Sequence, residues 1–494
     1  MLSINRRLRI GTALGRYGMA IGALLFVLSL EAQTPISLDE VQEAGLWVVD
    51  ITTVDGEEPE GRVIESSWQA GVYNMTYVNK VPCQIIIRQG NDTIYNSGQY
   101  EKNLSGATIR INGNTSAYYS NPLNMPYKIK LEKAADLLCR GDEETYHDKD
   151  WRLLKDATSL NTIVGLKLST LIGMEWTAAY RLCNVVINGD FRGCYLLIET
   201  VKHNNRCRIG CDKQTGFIVE RDPYWWKEDK YFSSYWYCDE SMYRWTWKYP
   251  DEDDLTTDRE EYAQQFIKDM EQSLDKENYT DYMDVESWSR WLLAHDILGT
   301  RDSGGANMFF KKQDNTSDSR LEMPCLWDFD SNYDVEPGTF SRLHTSQNAY
   351  FSVLFNNDNK LFASTYVNLW NKIKDELVQQ LTGFLHEYAD SEEAIALDLS
   401  RKLYNRRWGY SYGSVNDDIE RTLKWLQNHI DPLNSNIQLI DVSSPDMGIQ
   451  SHPINSGSYQ YYSLEGTKLG SINMPGIMIQ KASDGQKTRK IIVR

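Results

Sequence analysis

Two aspartates two positions apart stand out as residues that could do chemistry. Asp328 and Asp330 lie in the stretch LWDFDSN, residues 326–332, where a short apolar run is followed by polar residues. The run predicts a buried strand, and residues two apart in a strand point to the same face. Two carboxylates on one face repel each other unless a cation lies between them. The stretch therefore predicts a metal site at the end of a strand.

A second motif, about two dozen residues upstream, supplies an aspartate and an amide. Arg301 and Asp302 are followed by Asn307 in RDSGGAN, which gives the spacing R-D-x-x-x-x-N. In protein kinases the Asp of such a loop accepts the proton of the acceptor hydroxyl, the Asn binds a metal ion, and a D-F-G motif follows. Mg²⁺ prefers hard oxygen ligands and takes one or two carboxylates. The alternative is structural: Asp302 and Asn307 would cap turns around the glycines, and DFD would close a strand.

The elements that must position these motifs change in character along the chain. Residues 46–135 contain short strand-like runs between Gly, Asn and Asp, and NVVINGDFRGCYLLIE predicts a hairpin with an Asn-Gly turn. Residues 151–175 show helical spacing, and helical patterns dominate from Thr257 onward, one of them broken around residues 381–383. We therefore expect an α+β protein with a β-rich N-terminal lobe, a mainly helical C-terminal lobe and a pocket between them.

Composition and charge limit the classes of function. The chain has 494 residues, a formal net charge of −17 at pH 7 and 41% hydrophobic residues, as expected of a folded protein of two or three domains. An acidic protein is a poor non-specific binder of nucleic acid, although a local basic pocket for phosphate is compatible with it. We therefore expect no nucleic-acid partner.

The N-terminus resembles an export signal. Residues 1–33 combine several arginines, an apolar run at 19–30 that is too short to span a bilayer, and Ala32 as a small residue for cleavage. The alternative is an N-terminal membrane anchor. No later segment is apolar enough to span a membrane, so the mature chain is predicted to be secreted or at the cell surface, without a transmembrane segment. Eight cysteines follow residue 33, and export permits disulfides, but no pairing is assigned.

Several short motifs together resemble the CotH (spore-coat protein H) kinase-like family, over roughly residues 46–430. In order, they are IRINGNTS, PYKIKL, DWRLLKDATSLNTIVGLKLS, NVVINGDFRGCYLLIE, GFIVE, RDSGGANMFFKK and WDFD. The resemblance implies an atypical protein-kinase-like two-lobed fold. It also implies an enzyme that uses ATP with Mg²⁺ or Mn²⁺ to phosphorylate Ser or Thr of exported proteins. By the same resemblance, Asp302 is the catalytic or metal-side Asp, Asn307 its loop partner and Asp328 the metal-chelating Asp. Asp330, on the same predicted strand face as Asp328, is a further candidate ligand.

The phosphate side of the implied ATP site has several candidate residues. Lys128 and Lys130 share one face of the predicted strand PYKIKL, and either could reach ATP phosphates. Glu199 or Glu220 could orient that lysine through an ion pair. The alternative for both lysines is a solvated strand edge. Two further residues could line the phosphate side: Arg110 and Asn114.

Positive charges that the family pattern includes are missing from this sequence. Asn124 and Met125 stand where the family often has two lysines, and SLNTIVGLKL lacks the arginine that usually follows the W-x-L-L motif in its helix. Fewer cations beside a triphosphate weaken its binding. ATP turnover is therefore implied less strongly than the fold.

The C-terminal residues differ from the rest of the chain. A linker rich in Gly, Ser and Pro precedes YYSLEGTKLG, MPGIMIQ and RKIIVR, which resemble a type IX secretion sorting domain. Four residues carry the match: Gly466, Gly476, Ile477 and Lys490. The resemblance implies a Bacteroidetes-type cell, recognition by the type IX secretion machinery and removal of the tail. The alternative is a small β module of the enzyme. The predicted domains are thus a signal peptide at 1–33, the kinase-like domain at 34–446 and the linker with the sorting domain at 447–494.

Three functions are compatible with these motifs. The first is an exported kinase acting on a secreted or surface protein. The second is a catalytically weak or inactive surface scaffold or adhesin that binds protein or glycan. The missing lysine pair favours it, and so do the aromatic-rich residues 224–249 if they are exposed; the alternative for these aromatics is an insertion that covers the core. The third is a metal-dependent hydrolase that activates water with Asp302, Asp328 and Asp330.

Overall fold

A computed structural model provides the structure of this protein. It describes residues 35–62, 77–113, 117, 120–141, 144–155, 160–235, 243–301, 307–345, 349–443, 459–462, 468–469, 476–482 and 488–493. The predicted signal peptide, Asn114 and Asp302 lie outside the described residues. The chain divides into two compact units, Met1–Val442 and Ser443–Arg494.

The β-rich part of the first unit is built on a closed barrel. Its strands, with the short pair β2 and β3, are β1 Trp47–Thr53, β2 Gly61–Arg62, β3 Tyr77–Val78, β4 Val81–Gln89, β5 Asp92–Asn96, β6 Ala107–Ile111, β7 Tyr127–Ala135, β8 Asp148–Leu154, β9 Tyr180–Ile187 and β10 Asp190–Glu199. The order is β1-β9-β10-β8-β7-β6-β4-β5, and β4 pairs back onto β1. Strands β1 and β9 are parallel, whereas the other neighbours are antiparallel.

Alternating side chains fill the interior of the barrel. In β7, Tyr127, Ile129 and Leu131 are buried, whereas Lys128 and Lys130 point to the other face. The expectation of a β-rich N-terminal region is confirmed. Its architecture differs from a classic kinase lobe, because the pairing of β4 with β1 closes the sheet into a barrel, with β5 attached to β4 alone.

A second sheet follows the barrel in the chain. Its strands are β11 Phe217–Asp222, β12 Tyr231–Ser233, β13 Arg244–Tyr249, β14 Met308–Lys312 and β15 Leu321–Glu322. They form an antiparallel sheet in the order β12-β13-β11-β14-β15. The described part of the aromatic-rich stretch packs on this sheet, with Trp225, Phe232, Trp245 and Trp247 all buried. That burial supports a structural role for these aromatics rather than an exposed binding surface.

Helices dominate the remainder of the first unit, as the sequence predicts. They are α1 Leu38–Glu43, α2 Asn161–Ile172, α3 Thr257–Ser273, α4 Val285–Leu298, α5 Phe351–Asn356, α6 Leu361–Ala389, α7 Glu392–Trp408 and α8 Val415–Ile437. No helix in the described part of the chain is long and apolar enough to cross a membrane.

Three local predictions can be compared with these elements. The Asn-Gly hairpin is confirmed: β9 and β10 pair through a turn in which Asn188 and Gly189 have φ values of 53° and 77°. The helix predicted from residue 151 is wrong at its start, because WRLL belongs to β8, where Trp151 and Leu153 enter the barrel core. The predicted break at 381–383 is also wrong, because α6 is continuous through Gly383.

The second unit contains an antiparallel four-stranded sheet. Its strands are β16 Tyr459–Tyr462, β17 Lys468–Leu469, β18 Gly476–Ala482 and β19 Thr488–Val493, in the order β17-β16-β18-β19. Gly476 and Ile477 lie in β18 and Lys490 lies in β19, whereas Gly466 is outside the described residues. The sorting function of this segment stays a prediction.

Candidate active site

One large polar cavity in the first unit collects most of the predicted site residues. Its volume is about 2020 Å³, and strands from both sheets and the loop around residue 328 contribute to its walls. Seven predicted residues line it: Arg110, Lys128, Lys130, Glu220, Asn307, Asp328 and Asp330. Glu199 does not belong to this set, and Asn114 and Asp302 lie outside the described residues.

The amide of Asn307 and the carboxylate of Asp328 meet at the cavity. Asn307 Nδ2 donates a hydrogen bond of 2.9 Å to Asp328 Oδ2. Both residues have left-handed backbones, with φ values of 57° and 65°, a conformation that is uncommon outside glycine. Such residues concentrate at functional sites, where the surrounding structure holds them in place. The two motifs are therefore joined into one site.

The predicted strand around DFD is wrong, although its two carboxylates do face the cavity. The regular strand ends at Glu322, and the left-handed Asp328 interrupts any extended run. Trp327 and Phe329 are buried, whereas Asp328 and Asp330 are exposed. The two acidic side chains lie on the exposed side because the aromatic residues beside them pack into the core.

The loop that contains DFD is fastened to helix α2. Asn161 Nδ2 donates to the carbonyl oxygen of Asp330 at 3.2 Å, and Asn332 Nδ2 donates to the carbonyl oxygen of Asn161 at 3.1 Å. Phe329 lies directly over Gly165, where a Cβ atom would overlap its ring. Helix α2 therefore fixes the position of the acidic loop at the cavity.

Lys128 and Lys130 lie on the outer face of the barrel and line the cavity. Lys128 Nζ is 3.4 Å from Asp150 Oδ1, and Lys202 Nζ is 2.5 Å from Asp150 Oδ2. Burial raises the pKa of Asp150, but the charges of Lys128 and Lys202 outweigh it and lower the pKa to about 2. Lys128 is thus part of a charged network at the cavity wall, whereas Lys130 is exposed.

Replacing Asp150 by asparagine should lower the free energy of unfolding at pH 7 by about 2 kcal/mol. The ionised Asp150 is more stable in the folded state, so its contribution is present above pH 4 and is lost as the pH falls through about 2. Urea unfolding of both proteins between pH 7 and pH 2 would measure this. A difference that stayed constant down to pH 2 would contradict the assignment.

Neither predicted glutamate pairs with Lys128 or Lys130. Glu199 Oε1 accepts from Arg140 Nη2 at 2.8 Å, away from the cavity lining. Glu220 Oε2 lies 2.8 Å from Lys248 Nζ. Burial raises the pKa of Glu220 to about 7 despite the charge of Lys248. The expected lysine–glutamate pair thus forms with a different lysine, and Asp150 is the partner of Lys128.

Sequence reasoning missed several residues of the cavity and its support. Arg152 and Lys248 line the cavity, and each is the charged member of a run that is rich in aromatic or apolar residues, WRLL and WTWKY. Asp296 is fully buried in helix α4 within the apolar run WLLAHDILG. In all three cases the signal in the sequence is a charged residue among residues that belong to the core, which indicates a buried or functional charge.

The donor set fits a hard divalent cation. Among the described residues, no group of three or more His, Cys, Asp or Glu side chains could hold a metal ion. Mg²⁺ keeps several waters and needs only one or two carboxylates from the protein. The carboxylate of Asp328 beside the amide of Asn307 meets that requirement, whereas zinc favours Cys and His ligands.

The fold and the site together define a mixed α+β protein in which an acidic loop and a cation-bearing barrel wall line one cavity. The family model described as CotH kinase protein matches residues 109–433, 325 of the 494 residues, so the chain belongs to the CotH kinase family. Membership indicates a kinase-like function. No curated protein matches the chain significantly.

Proposed function

We propose that this protein is an exported atypical kinase that transfers phosphate from ATP to Ser or Thr of a secreted or surface protein, with Mg²⁺ or Mn²⁺. The hydrogen-bonded pair of Asn307 and Asp328 carries the proposal, because it joins the two motifs at a cavity that lysine and arginine side chains also line. An acidic metal side together with a cationic phosphate side in one cavity is the charge pattern that phosphoryl transfer requires.

The proposed transfer needs residues in three roles. Asp328 and Asn307 hold the divalent cation, with Asp330 close by in the same loop. Asp302 orients the acceptor hydroxyl and takes its proton. Lys128 and Arg110 bind the phosphates of the donor. A cation bound at Asp328 would neutralise charge on the donor phosphates.

Export and the acceptor belong to the same proposal. The arginine-rich, apolar N-terminus supports export, and the motif in the last residues supports passage through type IX secretion machinery. The acceptor is then a protein outside the cytoplasm. The burial of Trp225, Trp245 and Trp247 removes part of the argument for the alternative, a scaffold that binds partners through exposed aromatics.

Nucleotide-dependent thermal stabilisation tests the proposal directly. ATP at about 100 times its dissociation constant should stabilise the protein by about 2.7 kcal/mol in the presence of Mg²⁺ or Mn²⁺. The Asp328→Ala variant should lose this stabilisation, because the cation loses its carboxylate. Asp275→Ala is the matched control, since Asp275 is an exposed aspartate outside the cavity lining.

Each of three outcomes of this experiment decides whether the cavity binds ATP. Stabilisation that needs both the metal and Asp328 supports the kinase, and acceptor proteins can then be sought with labelled ATP. No stabilisation by ATP with either metal would overturn the kinase proposal and leave the scaffold. Equal stabilisation of wild type and Asp328→Ala would place the nucleotide elsewhere.

A further inference from the structure

Three cations stand directly opposite one another on the barrel wall that faces the cavity. Arg110 on β6 is paired with Lys128 on β7, and Lys128 is paired with Arg152 on β8. All three residues line the cavity. Neighbouring strands lie about 4.8 Å apart, so this cation row is about 10 Å long.

The row is unfavourable for the folded protein on its own. Like charges directly opposite each other on neighbouring strands are destabilising. Burial lowers the pKa of Lys128, and the charges of Arg152 and Arg110 lower it further, although Asp150 opposes them. Within the described residues, the Arg152 side chain forms no hydrogen bond or ion pair, and its Nε is buried without a partner. An anion that bound across the row would remove this repulsion.

One end of the row lies beside the acidic loop. The Arg152 guanidinium packs over the ring of Trp327, the residue before Asp328, at 5.3 Å from the ring centroid. Burial lowers the pKa of Arg152, while the carboxylates of Glu220 and Asp328 act in the opposite direction, which places both within electrostatic reach. The row therefore starts at the metal-side carboxylate and leads away from it through Lys128 to Arg110.

We infer that this row binds the phosphate chain of the donor, with Arg152 holding the terminal phosphate beside Asp328. The inference rests on the proposed function, because it assigns the orientation of the donor in the same cavity. A linear chain of phosphates matches a linear row of cations, and a guanidinium can make two parallel hydrogen bonds to one phosphate. The nucleoside then lies toward Arg110.

Binding of inorganic tripolyphosphate separates the phosphate chain from the nucleoside. Calorimetric titrations with Mg²⁺ would compare tripolyphosphate, ATP and AMP on wild type, Arg152→Gln and Arg152→Lys. Arg152→Gln should weaken the binding of tripolyphosphate and of ATP about 10- to 100-fold, the range for a lost charge-assisted hydrogen bond. The same variant should weaken the binding of AMP about twofold or less. Arg152→Lys should fall between, because it keeps the charge and loses the paired donors. The control Arg206→Gln, at an exposed arginine outside the cavity lining, should bind like wild type.

Stability without ligand distinguishes binding from a structural role. Arg152→Gln removes repulsion from the row, so its melting temperature without ligand should equal or exceed that of wild type. If the melting temperature of Arg152→Gln fell and its affinity for AMP dropped as much as its affinity for tripolyphosphate, Arg152 would have a structural role and the inference would be overturned. Unchanged tripolyphosphate binding by Arg152→Gln would also overturn it, while ATP binding that needs Asp328 would leave the proposed function standing. Failure of wild type to bind ATP would overturn both.

Discussion

Replacement of Asp296 by alanine should lower the free energy of unfolding by about 3–5 kcal/mol, the range for removing one partner from a buried charged network. Asp296 is fully buried in helix α4. Its Oδ1 accepts hydrogen bonds from the backbone N and Oγ of Ser341, at 2.8 and 2.7 Å. Its Oδ2 accepts from His344 Nε2 and from the hydroxyl of Tyr366, each at 2.7 Å. Alanine would leave these donors, which are buried or partly buried, without this acceptor.

The same helix turn is fixed from the other side by His429. Its Nε2 lies 2.7 Å from the carbonyl oxygen of Asp296, and its Nδ1 accepts from the backbone N of Gly338 at 2.8 Å. The two contacts define one neutral tautomer, with the proton on Nε2. Asp296 therefore joins helices α4, α6 and α8 to the segment that places Arg342 and Thr345 at the cavity.

Urea unfolding of three proteins would measure the contribution of Asp296. Asp296→Asn keeps the shape and one oxygen acceptor, so it should retain part of the stability that Asp296→Ala loses. Asp275→Ala, at an exposed position on the surface, should stay within about 0.5 kcal/mol of wild type. A loss for Asp296→Ala as small as that of Asp275→Ala would show that the buried network is not a stabilising centre.

The sequence predicts which segments are strands and helices better than it predicts that the strands close into a barrel. Period-two patterns such as that of PYKIKL identify strands because one face is buried, and long helices such as α6 carry a strong helical period. The pairing of β4 with β1 leaves no local trace, so the barrel was not predictable from the pattern. The sequence predicts a helix at WRLL because four residues are too few to separate the two periods, and pairing with β7 and β10 makes it a strand.

The site shows the same division between local and long-range information. The types and spacing of Asn307 and Asp328 predict that they serve one function, and the structure brings them to 2.9 Å. Glu199 is a sequence candidate for the ion pair that orients a lysine, but Arg140 and the backbone N of Ala179 occupy its oxygens. The register of β8 with β7 decides whether Arg152 or its neighbours face the cavity. No short motif encodes that register.

The contact between Phe329 and Gly165 leads to the second large expected effect. Gly165→Ala should lower the free energy of unfolding by about 2–3 kcal/mol, because the new Cβ overlaps the ring of Phe329 and forces the acidic loop to move. Helix propensity alone predicts the opposite sign, since alanine is favoured over glycine in a helix by about 1 kcal/mol. The sign of the change therefore reports the close approach of the ring.

Helix α6 supplies the matched control for this substitution. Gly383 lies inside that helix, and a Cβ there would meet no atom within 4 Å. Gly383→Ala should therefore raise the free energy of unfolding by about 1 kcal/mol. Because Asp328 and Phe329 are adjacent, Gly165→Ala should also reduce the stabilisation by ATP and Mg²⁺, whereas Gly383→Ala should leave it unchanged. If both variants were stabilised and bound alike, Phe329 would not couple helix α2 to the metal side of the cavity.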